Sequence, residues 1–204
     1  MPYFPLFTDL SGKSVLVVGG GIVALRKVEK LLPFTPILTV VAPDICAELR
    51  RLPALDLCER AFRPGDEANR SLVIAATNDR ALNREISLLC REKQIPVNVV
   101  DDPELCTFLF PALIQRGSLT IGISTGGSSP TAAIGLKEQI QQLLPERFDE
   151  ILDFLHQERV RMRASIPSEH QRHLLLKQLY AAAMTAGRPL TTAEANQLYQ
   201  EVLL

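Results

Sequence analysis

Short apolar runs and helix-period stripes alternate along the first hundred residues. Ser14-Val15-Leu16-Val17-Val18, Ile37-Leu38-Thr39-Val40-Val41, Ser71–Ala76 and Pro96–Val100 are continuous apolar or β-branched runs, the signature of strands buried on both faces. Leu55–Ala61 alternates apolar and polar side chains and predicts a further strand, followed by a turn at Arg63-Pro64-Gly65-Asp66. Between the runs lie helical stretches: one from the glycines after Val18 to about Leu32, a short one over Asp44–Arg51, and one from Arg80 to Lys93 with Leu82, Ile86, Leu89 and Cys90 on one face. Beyond Asp101 the period changes. Cys106–Ile114, a turn at Gln115–Ser118 and Leu119–Ser124 predict a hairpin, and from Glu146 onward the stripes are helical. Phe148, Ile151, Leu152 and Leu155 form one stripe; Leu174, Leu175, Gln178 and Leu179 begin another. A last helix runs from Thr191 or Thr192 to Leu203, opened by the capping pattern Thr191-Thr192-Ala193-Glu194.

Strand, helix and strand in that order give a doubly wound parallel sheet, and the first strand runs into Gly19-Gly20-Gly21-Ile22-Val23-Ala24. This G-x-G-x-x-A spacing has a mechanism: Gly19 lets the chain turn, Gly21 lets backbone approach a pyrophosphate, and Ala24 lets the helix pack near the strand. The helix N-terminus then offers unpaired N–H groups to the anion. Ligands of such sheets lie beyond the carboxyl ends of the strands, where Gly19 to Val23, Pro43-Asp44 and Thr77-Asn78 converge. Gly19, Gly21, Ile22, Val23, Pro43, Asp44, Thr77 and Asn78 are therefore the cofactor-binding candidates. Asp44 stands where an acidic residue holds ribose hydroxyls, and no arginine lies immediately beside it, which favours NAD over NADP. The other reading of Asp44 is an N-cap of the helix that follows. The chain divides as a Rossmann-like NAD-binding domain over 1–112, a small α+β region over 113–145 and a helical domain over 146–204.

Composition narrows the class. A formal net charge of −1 over 204 residues, with 22% charged positions, gives no sign of a nucleic-acid or anionic-membrane surface. The start, Met1-Pro2-Tyr3-Phe4-Pro5-Leu6-Phe7, lacks a basic region and is broken by prolines, so it does not read as a signal peptide. Cys46, Cys58, Cys90 and Cys106 form no C-x-x-C pair, which fits a reducing cytoplasm. His170 and His173 stand at i, i+3, but no carboxylate or cysteine completes a ligand set, and no metal site is assigned. Arg159, Arg161, Arg163 and Arg172 make either a solvated basic face or contacts for an acidic ligand. Ser124-Thr125-Gly126-Gly127-Ser128, ahead of Ser129-Pro130, is a glycine loop opening a helix, with Ser128 or Ser129 as N-cap; it is either a structural turn or an anion-binding nest for substrate carboxylates.

Taken together, Pro5-Leu6-Phe7, Val17–Lys27, Ala75-Ala76-Thr77-Asn78, Asn98-Val99-Val100-Asp101 and Ser124–Pro130 resemble precorrin-2 dehydrogenase, the dehydrogenase/ferrochelatase module of siroheme synthase. The resemblance covers about the first 145 residues and is looser in the tail. It implies NAD-dependent oxidation of precorrin-2 to sirohydrochlorin, insertion of Fe²⁺ as a substrate metal in many members, and a homodimer. The apolar hairpin near Phe108 to Ile123 and the amphipathic tail point to a homodimer too. The family's catalytic aspartate falls on Asp101, with Asp102 beside it; the capping of the turn before Pro103 is the alternative role of either. A serine phosphorylated in some members is Thr125 here, a frequent arginine is Ile134, and the usual glycine turn before the second strand is Pro33-Phe34-Thr35-Pro36. The chain has no room for the methyltransferase domain that fused siroheme synthases carry. Two other readings stay open: a dimeric NAD-binding redox sensor without chemistry, and a dehydrogenase for another acidic substrate.

Overall fold

The computed structural model describes residues 3–203; Met1, Pro2 and Leu204, the outer ends of the first and last stretches read above, lie outside it. The chain forms two compact units, Met1–Phe110 and Pro111–Leu204.

The first unit is a parallel sheet of five strands, β1 (Ser14–Val18), β2 (Ile37–Ala42), β3 (Leu55–Glu59), β4 (Leu72–Ala75) and β5 (Val97–Val99), in the order β3-β2-β1-β4-β5. This is the doubly wound order with its reversal beside β1, where the crevice for a ligand opens. The period of two divides β1 between the layers. Val15 and Val17 join the core beneath α1 (Ile22–Leu31) and α2 (Ala47–Arg51), while Leu16 and Val18 join the core beneath α3 (Arg80–Glu92). Each such Val or Leu removed from water contributes about 1.5–3 kcal/mol, so both layers are specified by the alternation itself.

Two elements depart from the expected bounds. The short helix begins at Ala47, not Asp44, and Cys106–Pro111 is not a strand. The latter segment instead folds back along β5: Thr107 N–H donates to Val97 O (2.8 Å), Val97 N–H to Thr107 Oγ1 (2.8 Å), and the Asn98 amide to Phe108 O (3.1 Å). It satisfies the exposed edge of the sheet, which an open strand would leave unpaired.

The second unit starts with an antiparallel pair, β6 (Ala112–Arg116) and β7 (Leu119–Ile123), joined at Gly117-Ser118 with Gly117 in the left-handed region (φ +53). Four helices follow: α4 (Pro130–Leu143), α5 (Phe148–Ser165), α6 (Glu169–Ala186) and α7 (Thr192–Leu203). α5, α6 and α7 share a core of Met162, Ile166, Leu175, Leu179, Ala195 and Tyr199, while α4 packs on the strand pair. Leu175 and Leu179 face inward as read from the stripe, whereas Leu174 is 40% exposed. The capping box at α7 forms: Glu194 N–H donates to Thr191 Oγ1 (3.3 Å) and Thr191 N–H to Glu194 Oε2 (2.7 Å). Arg188, with Thr191, draws the Glu194 carboxyl down to about 2.

One buried charge braces the first unit away from the crevice. Glu67 is fully buried; Lys93 Nζ lies 2.5 Å from its Oε1, and Gly65 N–H donates to its Oε2 (2.8 Å). Burial alone pushes this carboxyl up, but the Lys93 ammonium and the backbone N–H groups of Glu67 and Gly65 together hold it below its usual value. A carboxyl with a depressed folded pKa stabilises the fold above its unfolded pKa and loses that stabilisation as pH falls through the folded value. Glu67→Gln is therefore expected to flatten the acid limb of a thermal-stability profile below about pH 4. Lys93→Met, which strands the carboxylate, should lower the melting temperature near neutral pH, with the double change recovering most of the loss. An unaltered acid limb in Glu67→Gln would contradict this role.

Candidate active site

Three strand ends, with the helix starts that follow them, build one cleft of about 990 Å³ in the first unit. Gly19, Gly21, Ile22 and Val23 line it after β1, Pro43 and Asp44 after β2, and Thr77 and Asn78 after β4. The structure thus brings together all eight residues read as cofactor contacts.

The three glycines have separate physical reasons. Gly19 has φ +129, and a Cβ there would collide with the Ala76 carbonyl oxygen; its N–H donates to Val41 O (3.0 Å). Gly20, given no role in the sequence reading, is excluded from bearing a side chain by the Asp44 carbonyl, and its own carbonyl accepts from Cys46 N–H (2.8 Å). Gly21 differs from both. Its φ is −89, which any residue adopts, and no protein atom lies within 4 Å of where its Cβ would stand. Nothing in the fold requires this glycine, and the open space beside it is where a ligand would approach the backbone. Gly21 is also the N-cap of α1 with no side-chain cap, and no acidic residue stands in the first turn. The first-turn N–H groups open on the cleft, and the positive end of the helix dipole is there unneutralised.

On the β2 side Asp44 is exposed and caps no helix, since α2 takes Cys46 as its N-cap. An arginine that sequence spacing did not reveal approaches this edge. The Arg50 guanidinium donates to Ile45 O (3.1 Å) and is bridged to both carboxylate oxygens of Glu59. On the β4 side the missed residue is Asn83, buried under the Thr77 turn. Thr77 Oγ1 donates to Asn83 Oδ1 (2.7 Å), and Asn83 Nδ2 returns a bond to Thr77 O (3.0 Å), so the polar strand end is held rigidly. Its signal was an amide on the apolar face of α3, four residues after the cap Asp79.

Asp101 belongs to the same unit, just past β5, but does not line the cleft. It is exposed and takes a left-handed backbone (φ +59), a conformation that aspartate tolerates better than most residues. Of the capping alternative only the position holds: Asp102 is the N-cap of the 3₁₀ turn Pro103–Leu105 but makes no side-chain bond there, and Asp101 stands one residue before it. Beside them is a cation to which the sequence reading gave no role. Lys27, half-buried on α1, sets Nζ 3.3 Å from Asn98 Oδ1 and 4.1 Å from the centre of the Phe110 ring. Burial pushes its ammonium below the usual lysine value and Lys30 acts in the same sense, while the Cys106 thiol and the Asp101 carboxylate oppose them. Cys106 is buried, its Sγ bonded to Val99 and Asp102 backbone, and burial raises its thiol pKa.

The loop Ser124, Thr125, Gly126, Gly127, Ser128 lies in the second unit, between β7 and α4. Gly126 (φ +62) and Gly127 (φ +89) supply its turn, and Ser129 is the N-cap, accepting from Ala132 N–H (3.1 Å). Much of the expected nest is turned inward. Gly126 N–H donates to Ser124 Oγ, Ser128 N–H to Thr125 O, and Ser129 N–H to Thr125 Oγ1, whose hydroxyl donates back to Ser129 O. Among the described residues no three His, Cys, Asp or Glu side chains are placed to hold a metal ion, and no helix is long and apolar enough to cross a membrane.

Residues 6–112 match the family model described as "Putative NAD(P)-binding", and the chain belongs to that family. It is similar to the siroheme synthase of Thioalkalivibrio sulfidiphilus strain HL-EbGR7, 43% identical over 188 residues, which are 91% of this chain and 38% of that protein. It is likewise 39% identical to the siroheme synthase of Pseudomonas aeruginosa strain UCBPP-PA14 over all of this chain and 44% of that one. The chain thus spans about two-fifths of the length of these curated relatives. Among solved structures it is similar to SirC, a precorrin-2 dehydrogenase, with a TM-score of 0.79, 28% identity and 98% of each chain covered.

The glycines give a paired test. Gly20→Ala should cost about 2 kcal/mol or more in denaturant unfolding, since backbone must move. Gly21→Ala should leave stability within about 0.5 kcal/mol and weaken NAD binding in a fluorescence titration. The reverse assignment of the two effects would refute the reading of Gly21.

Proposed function

We propose that the chain catalyses NAD-dependent oxidation of precorrin-2 to sirohydrochlorin. The observation that carries this is the cleft at the switch point, where an unneeded glycine and an uncapped helix start leave room and N–H donors for a pyrophosphate. The likeness to SirC and to the siroheme synthases supplies the substrate. NAD⁺, when bound, supplies the hydride acceptor. The protein's part is placement and proton handling: Gly19 and Gly20 hold the turn, Gly21 and the first turn of α1 face the pyrophosphate, Asp44 takes the ribose hydroxyls, and Thr77 with Asn78 closes the β4 side. NAD is favoured over NADP because Arg50, whose guanidinium reaches this edge, is held by Glu59.

Asp101 is the proposed base, accepting the proton that leaves the macrocycle as two electrons and a second hydrogen leave as hydride. The Asp101 carboxylate in turn favours the charged form of Lys27, against the effect of burial. Ser124 to Ser128 would contact substrate carboxylates through the Ser128 hydroxyl and the Gly127 N–H, the Gly126 and Ser128 N–H groups being bonded within the loop. Insertion of Fe²⁺, as a substrate metal, would use the same carboxylate to accept pyrrole protons. We infer a cytoplasmic homodimer as well: α4 exposes Leu136 and Leu143, seven residues apart on one helix face that a second copy would cover, and sedimentation as a monomer at micromolar concentration would contradict it.

Asp101→Ala is expected to lower precorrin-2 dehydrogenation by about 10² to 10⁴ while NAD affinity stays unchanged. Asp102→Ala should be mild. Near-normal turnover of Asp101→Ala would remove the assignment and favour a sensing module that uses the cleft without a base.

A further inference from the structure

Of the four arginines that sequence alone left between a solvated face and an acidic-ligand site, two are held by other groups and one is simply exposed. Arg161 lies 4.5 Å from the centre of the Tyr199 ring, within 3.6 Å of Glu158, and donates to Asn196; Arg172 donates to the Ile166 and Pro167 carbonyls; Arg163 is simply exposed. Arg159 is different. It lies in a groove of about 570 Å³ within the helical unit.

Two helical stripes of the same spacing make this groove. On α5 they are Leu152, Leu155, His156 and Arg159; on α6, His173, Leu176, Lys177 and Tyr180, each at i, i+3, i+4 and i+7. Each stripe pairs apolar side chains with protonatable or cationic ones, and the leucines are half-buried while His156, Arg159, His173 and Lys177 are exposed. Of the acids on these two helices, Glu150 pairs with Arg147 and Glu158 with Arg161 and the Tyr199 hydroxyl, while Asp149, Asp153 and Glu169 do not line the groove; among the described residues neither Arg159 nor Lys177 has an ion-pair partner. Two facing cations over an apolar floor, with two imidazoles and a phenol at hand, complement an apolar frame that carries carboxylates.

We infer that this α5–α6 groove is a binding site for an organic polycarboxylate with an apolar frame, separate from the dinucleotide cleft. The inference does not depend on the dehydrogenase reading, because the groove is built wholly from the second unit and needs no redox step. Its ligand class includes the macrocycle proposed as substrate, which would make the groove a second place where that molecule docks.

The test is equilibrium dialysis of the full-length chain with uroporphyrin, a stable tetrapyrrole octacarboxylate, without NAD. Arg159→Glu/Lys177→Glu is expected to weaken one binding event per chain by about tenfold. The control Arg163→Glu/Lys13→Glu carries the same change of net charge outside the groove and should bind like the unmodified chain. Far-ultraviolet circular dichroism and the melting temperature report that each variant is folded, and Arg159→Gln/Lys177→Gln, a milder change, should show a smaller loss in the same direction. The inference is overturned if the unmodified chain binds no uroporphyrin, if the groove reversal binds as the unmodified chain does, or if the control weakens binding equally.

Discussion

Everything at the cleft depends on how closely the turn after β1 approaches its neighbours. The Ala76 and Asp44 carbonyls stand where side chains of Gly19 and Gly20 would be, so the turn is wedged between the ends of β4 and β2. That wedge aims the first turn of α1 at the crevice. It also leaves open the space beside Gly21, one residue on, where a side chain would stand. The arrangement resolves two demands that conflict elsewhere in a fold: the packing of three strand ends at interior density, and a stretch of backbone bare enough to meet an anion.

The chemistry then divides over distinct supports. The proposed dinucleotide contacts are backbone and strand-end groups, with Thr77 held by its two bonds to Asn83. The carboxylate at Asp101 instead stands on a left-handed residue past the edge strand, outside the lining of that cleft and beside the half-buried ammonium of Lys27. Separation of this kind suits a reaction in which hydride and proton leave the substrate toward different acceptors.

How much of this was legible depended on whether the determining interaction was local. β1, β2 and α1 could be read because each is declared by a run or period of its own side chains, and the glycine spacing announced the turn between them. The hairpin was misplaced by several residues, since Cys106 to Phe110 is as apolar as a strand but is claimed by Val97 and Asn98 across the sheet edge. Asp44 looked equally like a cap, and only the start of α2 at Ala47 separates the roles. Gly20, Asn83, Lys27 and Arg50 were passed over because their significance lies in partners 24, 6, 71 and 9 positions away, respectively Asp44, Thr77, Asn98 and Glu59. The basic face of α5 was likewise ambiguous until α6 was set opposite it.

The account's central claim is that electrons leave the macrocycle for a dinucleotide held in the β1–β2–β4 cleft. Anaerobic incubation of the chain with NAD⁺ and precorrin-2, following sirohydrochlorin and NADH together by absorbance, tests it most directly. The account predicts one NADH formed for each sirohydrochlorin, at a rate that saturates with NAD⁺. Sirohydrochlorin appearing without NADH, or no conversion by a chain that binds both molecules, would contradict it.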